Sequence, residues 1–556
     1  MTRAPACWTL PLVAIAVLAA CGSEPNPPAT LDCSAVTPTT LAPGQFTILD
    51  ASQSACVRLP GAGSVETEHL YVALATEGGE AGNGVSADYR LQVGSAPTAS
   101  VASLSRAGVD RAPTRAQTFH DRLRAREHDL SSQPAVLSAS RGRMSTSAAP
   151  TPPVIGAKRT FDVCATTACD SFVQSTATAK VVGQRVAIFL DDDAPTGYTQ
   201  ADLDNVGLLF DNHLHPIDTT AFGTESDLDD NGVVIVLLTQ RVNELSPDCN
   251  ATGSVILGFF FGLDLLPSQT HSNGGEVFYG LVPGDVPTGC VVSKDFATET
   301  LPGVFIHEFQ HMISFNQHVL VRGGTSEDTW LNEGLSHFAE ELGGEGVPDA
   351  FCMPAYDNCE SQFNGSNISN AYGYMDTLEN HFLIEPGNSS GSLEERGANW
   401  LFVRWLTDQF AATLPQGTDV TRALVQTDRV GSANVAAVAG DDFSTLVSQW
   451  QMANYLTSLS GFTPSSDRLG YTSLNLRGIF LANFNNGVFE KPYPLTPDVV
   501  NAAYDRTGKL RAGSGRHLRI VQPAGSGEVA VVLTNATETA TVAASAKPRI
   551  ALVRVR

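Results

Sequence analysis

Among the residues whose type and spacing could do chemistry, the run His307-Glu308-Phe309-Gln310-His311 stands out. It sits in the apolar frame Val304-Phe305-Ile306 and Met312-Ile313, which predicts a buried helix. Four residues make slightly more than one helical turn, so His307 and His311 share a face and both imidazoles can reach one zinc ion. Glu308 lies beside them, within reach of water at the metal. A zinc ion brings the pKa of such water toward ~7, and a carboxylate there can take its proton during attack and pass it to a leaving amine. The chemistry this pattern supports is hydrolysis.

A catalytic zinc needs a third protein ligand. The metzincin arrangement requires Gly at 314 and His at 317, where this chain has Ser314 and Gln317, with His318 out of register. The run Trp330 to Glu341 reads instead as a second helix carrying three acids: Glu333 near its start, and Glu340 and Glu341 about two turns on. Its segment Trp330-Leu331-Asn332-Glu333-Gly334 resembles that of gluzincins, and the resemblance assigns Glu333 as third ligand, with Glu340 and Glu341 as alternatives. Several segments read together resemble the hyicolysin family. They are HEFQHMISFN, TWLNEGLSHFAEEL, Asp227 to Val236, Gly258-Phe259-Phe260, Ser272 to Tyr279 and Gly397 to Phe402, spanning roughly 156–456. That resemblance implies a secreted zinc endopeptidase with a gluzincin core, one catalytic Zn2+ on His307, His311 and Glu333, and Glu308 as acid/base.

Two parts of the site stay open. Thermolysin-like enzymes carry an aspartate four residues after the ligand glutamate, and here that position is His337. A carboxylate steadying a ligand imidazole must then come from Glu340 or Glu341, or a backbone carbonyl takes its place. The group that stabilises the tetrahedral oxyanion is also unassigned, with Tyr372, Tyr374, His381 and Arg396 as candidates by position. Elsewhere, Asp227, Asp229 and Asn231, followed by Gly232, have the spacing of a calcium loop, so Ca2+ is a candidate cofactor. The twelfth place is Leu238, which excludes an EF-hand, and a tight turn before a strand is the preferred reading.

These groups need a fold to hold them. With 556 residues, 42% of them hydrophobic, the chain can bury several cores. Val181-Val182, Arg185 to Leu190 and Val233 to Leu238 read as inner strands, with Glu276 to Tyr279 a further strand at whose edge a substrate strand could add. Helical patterns follow at Gly303 to Phe315, Trp330 to Leu342, Gly397 to Phe410 and Phe443 to Leu456. Strands followed by helices predict an α+β class, with a gluzincin-like catalytic domain over 154–460. Short β-like runs predict N- and C-terminal β-sandwich-like domains on either side, over 31–100 and 461–556. Between them, 101–153 is a basic, Ser/Pro-rich linker in which Phe119, Leu123 and Leu130 fall along one side of a possible helix; it is read as a solvated connector, with a processed or inhibitory segment as the alternative.

Residues 1–21 form a leader, because Arg3 precedes an apolar run ending in Leu18-Ala19-Ala20-Cys21, followed by a tether over 22–30. That ending resembles the bacterial lipobox, which implies a lipidated Cys21 and an exported protein. The destination is the cell envelope, with the outer membrane favoured by Gly22, or secretion. Membrane contact would be through this lipid alone. Export agrees with the even set Cys33, Cys56, Cys164, Cys169, Cys249, Cys290, Cys352 and Cys359, for which sequential pairing is the simplest disulfide pattern. With 34 basic against 58 acidic residues and a net charge of −24, nucleic acid is an excluded partner. Protein or peptide substrates are expected; oligomeric state is not legible. Two alternatives stand beside the peptidase: a surface binding or adhesion protein with a secondary or inactive core, and a zinc hydrolase of a non-peptide amide.

Overall fold

The computed structural model describes residues 33–77, 86–94, 113–133, 150–352, 359–413 and 416–556. Cys21 and the leader and tether around it lie outside the described residues. The described residues form fifteen strands: β1 (Phe46–Asp50), β2 (Cys56–Leu59), β3 (Thr67–Ala75), β4 (Ser86–Val93), β5 (Lys158–Cys164), β6 (Phe172–Val182), β7 (Val186–Asp191), β8 (Val234–Leu238), β9 (Gly258–Phe260), β10 (Val277–Gly280), β11 (Asp498–Val500), β12 (Tyr504–Arg511), β13 (Ser514–Gln522), β14 (Val529–Asn535) and β15 (Pro548–Arg554). Six helices matter for the site: α1 (Arg115–Ser131), α2 (Lys294–Phe315), α3 (Thr329–Gly344), α4 (Glu360–Asp376), α5 (Leu393–Phe410) and α6 (Phe443–Leu456).

The central sheet has the order β5-β6-β7-β8-β10-β9. Its apolar runs β7 and β8 pair in parallel, as do β8 and β10, and strands covered on both faces can be apolar throughout. β10 is therefore an inner strand, and the expected edge at Glu276 to Tyr279 is corrected. The edge is β9, which pairs antiparallel with β10 on one side only. Three residues between a Gly253 turn and a short 3-10 helix give β9 too little length to be seen as a strand in sequence.

Helix α2 starts at Ser293, whose hydroxyl caps the Phe296 N–H, and runs under the sheet with both faces buried from Phe305 to Phe315. Helices α3, α4 and α5 pack closely because glycines stand at their crossings. A Cβ on Gly334 of α3 would come within 2.8 Å of the Asn399 carbonyl oxygen, and one on Gly397 of α5 within 2.3 Å of the Asn370 backbone. Helix α6 matches its sequence expectation residue for residue.

The expected pair of flanking β-domains is corrected. Strands from the two chain ends interleave into one sandwich, with sheets β1-β15-β3-β13-β11 and β12-β4-β14-β2. β3 is the reason: all nine of its residues are buried, with Tyr71 and Ala73 facing the sandwich interior and Leu70, Val72 and Leu74 in the same core as the helices. Such a strand needs a neighbour on each side, and β13 and β15 supply them. The region 461–556 is also not all β, since Leu476–Asn485 is helical.

The solvated-connector reading of 101–153 changes as well. Its described part contains the expected helix, α1, opened by a Thr114/Gln117 capping box and buried through Phe119, Leu123 and Leu130. The eight cysteines join sequentially, Cys33 to Cys56, Cys164 to Cys169, Cys249 to Cys290 and Cys352 to Cys359. Among the described residues, no helix is long and apolar enough to cross a membrane.

Candidate metal centre

Helix periodicity puts His307 and His311 on one face of α2, with ring centroids 4.8 Å apart. Helix α3 crosses this face and delivers Glu333 from its second turn. Glu333 Oε2 lies 3.6 Å from His307 Nε2, and Oε1 lies 3.7 Å from His311 Nε2. Donor atoms of the three residues lie within 4.8 Å of one another. Tetrahedral bonds of ~2.1 Å from N and O ligands to zinc set such atoms roughly 3.4 Å apart, so the spacing suits a shared ion. The orphaned carboxylate carries the same message. Glu333 is 1% exposed and neither of its oxygens has a hydrogen-bond partner, which is costly for a buried carboxylate unless a cation completes it.

The surrounding charges agree. Burial pushes the Glu333 carboxyl up, but Arg396 and the two imidazoles outweigh it and hold Glu333 well below the usual carboxylate range. Burial lowers the affinity of His307 for a proton, yet Glu333 and Glu340 reverse this and raise it to about 10 without a metal. The hollow is built for positive charge.

Of the other acids on α3, Glu340 turns to the back of His307. Its Oε1 accepts from Nδ1 at 2.7 Å, which leaves Nε2 for the hollow, and its Oε2 accepts from Asn367 at 3.1 Å. His337, standing where thermolysin-like enzymes have aspartate, is 3.1 Å from the same Glu340 oxygen. Glu341 faces the opposite way, accepting from Trp400 Nε1 at 2.8 Å and Arg404 Nη1 at 2.9 Å. Ser336 Oγ lies 3.1 Å from His311 Nδ1.

Glu308 lies beside the hollow. Its Oε2 accepts from the Phe260 N–H of β9 at 2.9 Å, and Arg124 Nη2 approaches the same oxygen to 3.7 Å. Burial raises the Glu308 pKa, partly offset by His307 and Arg124.

The four oxyanion candidates separate. Arg396 Nη1 stands 3.8 Å from Glu333 Oε2, steadied by Ser390 Oγ at 2.9 Å. The other three are placed in packing roles. Tyr372 accepts from the Lys491 N–H and stacks on Phe489, and Tyr374 is buried on Trp450 with its hydroxyl on Gln451. His381 bonds Thr377. Two residues absent from the sequence reading join the site from α1. Arg124 reaches Glu308, and His120 feels Arg396, Glu333 and His307, with burial as the main cause of a pKa lowered to about 3. Nothing local marks either one, because their partners lie far along the chain.

The Asp227 loop closes on itself. Asp227 Oδ1 accepts from the N–H groups of Asn231 and Gly232, and Asn231 Oδ1 accepts from Val233 N–H, with Asp230 and Gly232 at positive φ. Asp229 pairs with Arg159. Asp227 and Asp229 cluster with Glu276, while the Asn231 side-chain oxygen is taken by the Val233 N–H.

Comparison with known proteins adds one relative. The neutral metalloprotease ShpI of Staphylococcus hyicus is 28% identical over 206 residues, 37% of this chain and 42% of that protein. The chain thus spans less than half the length of the curated relative it matches. No family model matches the chain.

Proposed function

We propose that this chain is a zinc-dependent endopeptidase, exported and tethered through a lipid on Cys21. The observation that carries the reading is the buried hollow in which His307, His311 and Glu333, whose oxygens accept no hydrogen bond among the described residues, converge beside Glu308. The similarity to a neutral metalloprotease supports it. Zinc, when bound there, supplies the Lewis acidity that makes water nucleophilic near neutral pH and polarises a carbonyl.

The chain's own residues do the rest. Glu340 fixes the tautomer and orientation of His307. Glu308 is aimed by the Phe260 N–H on Oε2, while its Oε1 accepts no hydrogen bond among the described residues. Oε1 is then the atom that takes the proton from the attacking water and returns it to the departing amine. Arg396, anchored on Ser390, supplies positive charge on the side of Glu333 for the developing oxyanion. The outer edge of β9 is where an extended peptide would add as a strand, through backbone hydrogen bonds that tolerate many sequences.

The test compares the zinc-loaded whole chain with Glu308→Gln on an unfolded protein substrate, counting new amino termini and zinc per chain. Loss of a proton-transfer group costs about 100-fold or more in rate, with zinc retained in both proteins. The proposal is overturned if zinc is held but neither the wild type nor an Arg124→Ala form produces new termini.

A further inference from the structure

The centre is almost sealed. His307 is 8% exposed and Glu308, His311 and Glu333 are 2%, 1% and 1%, so no polypeptide reaches them in this arrangement. The element over them is α1. On the sheet side, Phe119 packs edge-on against Phe259 of β9 at 4.9 Å, and the Ala116 N–H meets Ser254 Oγ at 3.2 Å. On the helix side, Asp121 accepts from the Ser390 N–H at 2.6 Å, Gln117 donates to the Gly391 carbonyl at 3.1 Å, and Ser131 Oγ accepts from the Ser326 N–H at 3.0 Å. The helix therefore bridges both walls of the cleft that a substrate strand would enter.

Its two central charges engage the open edge of the sheet. Arg124 Nη2 donates to the Phe260 carbonyl at 3.0 Å, and Glu127 Oε1 accepts from the Gly262 N–H at 2.7 Å. Arg124 and Glu127 also pair with each other at 2.8 Å. The acceptor lies on β9 and the donor two residues past its end, at the start of the 3-10 turn, so one side-chain donor and one side-chain acceptor satisfy neighbouring backbone groups as the backbone of an added strand would. The same guanidinium faces the Glu308 carboxylate at 3.7 Å. Few apolar side chains anchor this helix: Phe119, Leu123 and Leu130 are its buried hydrophobics, and the remaining links are polar.

We propose that α1 is a built-in inhibitor that takes the place of the substrate strand along β9, so that this structure is the latent form and activity requires α1 to leave the cleft. The proposal rests on the peptidase reading. Its rival is a permanent wall, in which Arg124 belongs to the working site.

Binding of a dansyl-labelled tripeptide hydroxamate to the zinc-loaded whole chain decides between them. The double variant Arg124→Ala/Glu127→Ala removes the mimicry without leaving a lone buried charge. Gln117→Ala removes the strap to the Gly391 carbonyl and the cap of α1 without touching Ser390 or Arg396, and Arg122→Ala, exposed on α1, is the control. Apparent affinity scales with the fraction of molecules open to ligand, so at least about ten-fold tighter binding is expected for the double variant and for Gln117→Ala, with the control unchanged. Gln117→Ala carries the decision if the double variant does not fold. Binding no tighter than wild type, in a variant with unchanged zinc content and melting temperature, overturns the proposal. Cleavage measured alongside separates the two readings. Tighter binding with no cleavage by any form sinks the peptidase and keeps the occlusion, whereas cleavage with binding indifferent to α1 does the reverse.

Discussion

Zinc binding by His307 depends on what its other nitrogen does, and here that nitrogen donates to Glu340. Burial raises the Glu340 carboxyl, but His337 and His307 overcome this and hold it at about 2, so it stays ionised. Replacing it by Gln keeps the shape and removes the charge. Glu340→Gln is expected to weaken zinc binding about 10- to 100-fold, read by competition with a chromophoric chelator; unchanged affinity would show that His307 needs no carboxylate behind it. Much of this centre is legible in sequence for a geometric reason. Helical spacing alone places His307, Glu308 and His311, and the second helix narrows the acids to three. What spacing cannot show is the side to which each acid turns. Glu341 points to Trp400 and Arg404 because α5 crosses behind α3, a fact that exists only after packing. His120 and Arg124 are illegible for the same reason.

At the scale of elements, the turn after β9 is locked by Asp264, which accepts from Tyr279 Oη at 2.6 Å and from the Asn273 N–H at 2.7 Å. Burial is the main cause of its pKa being raised to about 7, with the hydrogen bonds opposing. The unfolded chain releases this proton near pH ~4, while the folded one holds it until about 7. Its contribution is therefore fully present below ~4 and is lost as pH rises toward 7, at up to about 1.4 kcal/mol per pH unit. Asp264→Asn removes this slope. In urea unfolding at pH 4.5 and 7.5, the wild type should lose ground relative to the variant at the higher pH, and a constant difference would refute the assignment. Strands β7 and β8 and helix α6 are legible because long apolar runs and clear periodicity mark them. β9 is not, being three residues whose role as the edge depends on strand order. The helix of α1 is legible from Phe119, Leu123 and Leu130 along one side, but its place over the metal centre is not, because that rests on Arg124 and Glu127 satisfying distant backbone groups.

For the whole molecule, the sandwich links the two ends of the chain more tightly than composition suggests. Glu68 of β3 accepts from Arg519 and from Arg556, the latter 488 residues away. A chain truncated after residue 497 loses both neighbours of β3 and both of β4, and bares the face of β3 that lines the sandwich interior. Such a chain is expected to be insoluble or protease-sensitive; a soluble, cooperatively melting product would show that the catalytic core stands without the sandwich. The two sets of strands are each legible, but their joining is not, since nothing in a strand's pattern names its partner. The same joining has a kinetic side. Contacts between segments so far apart form late, after the loop-closure entropy has been met, so β3 waits as an unpaired apolar strand until β13 and β15 reach it. Through that interval it is an aggregation-prone edge, which places the folding hazard of this chain in the sandwich rather than in the helices around the metal centre.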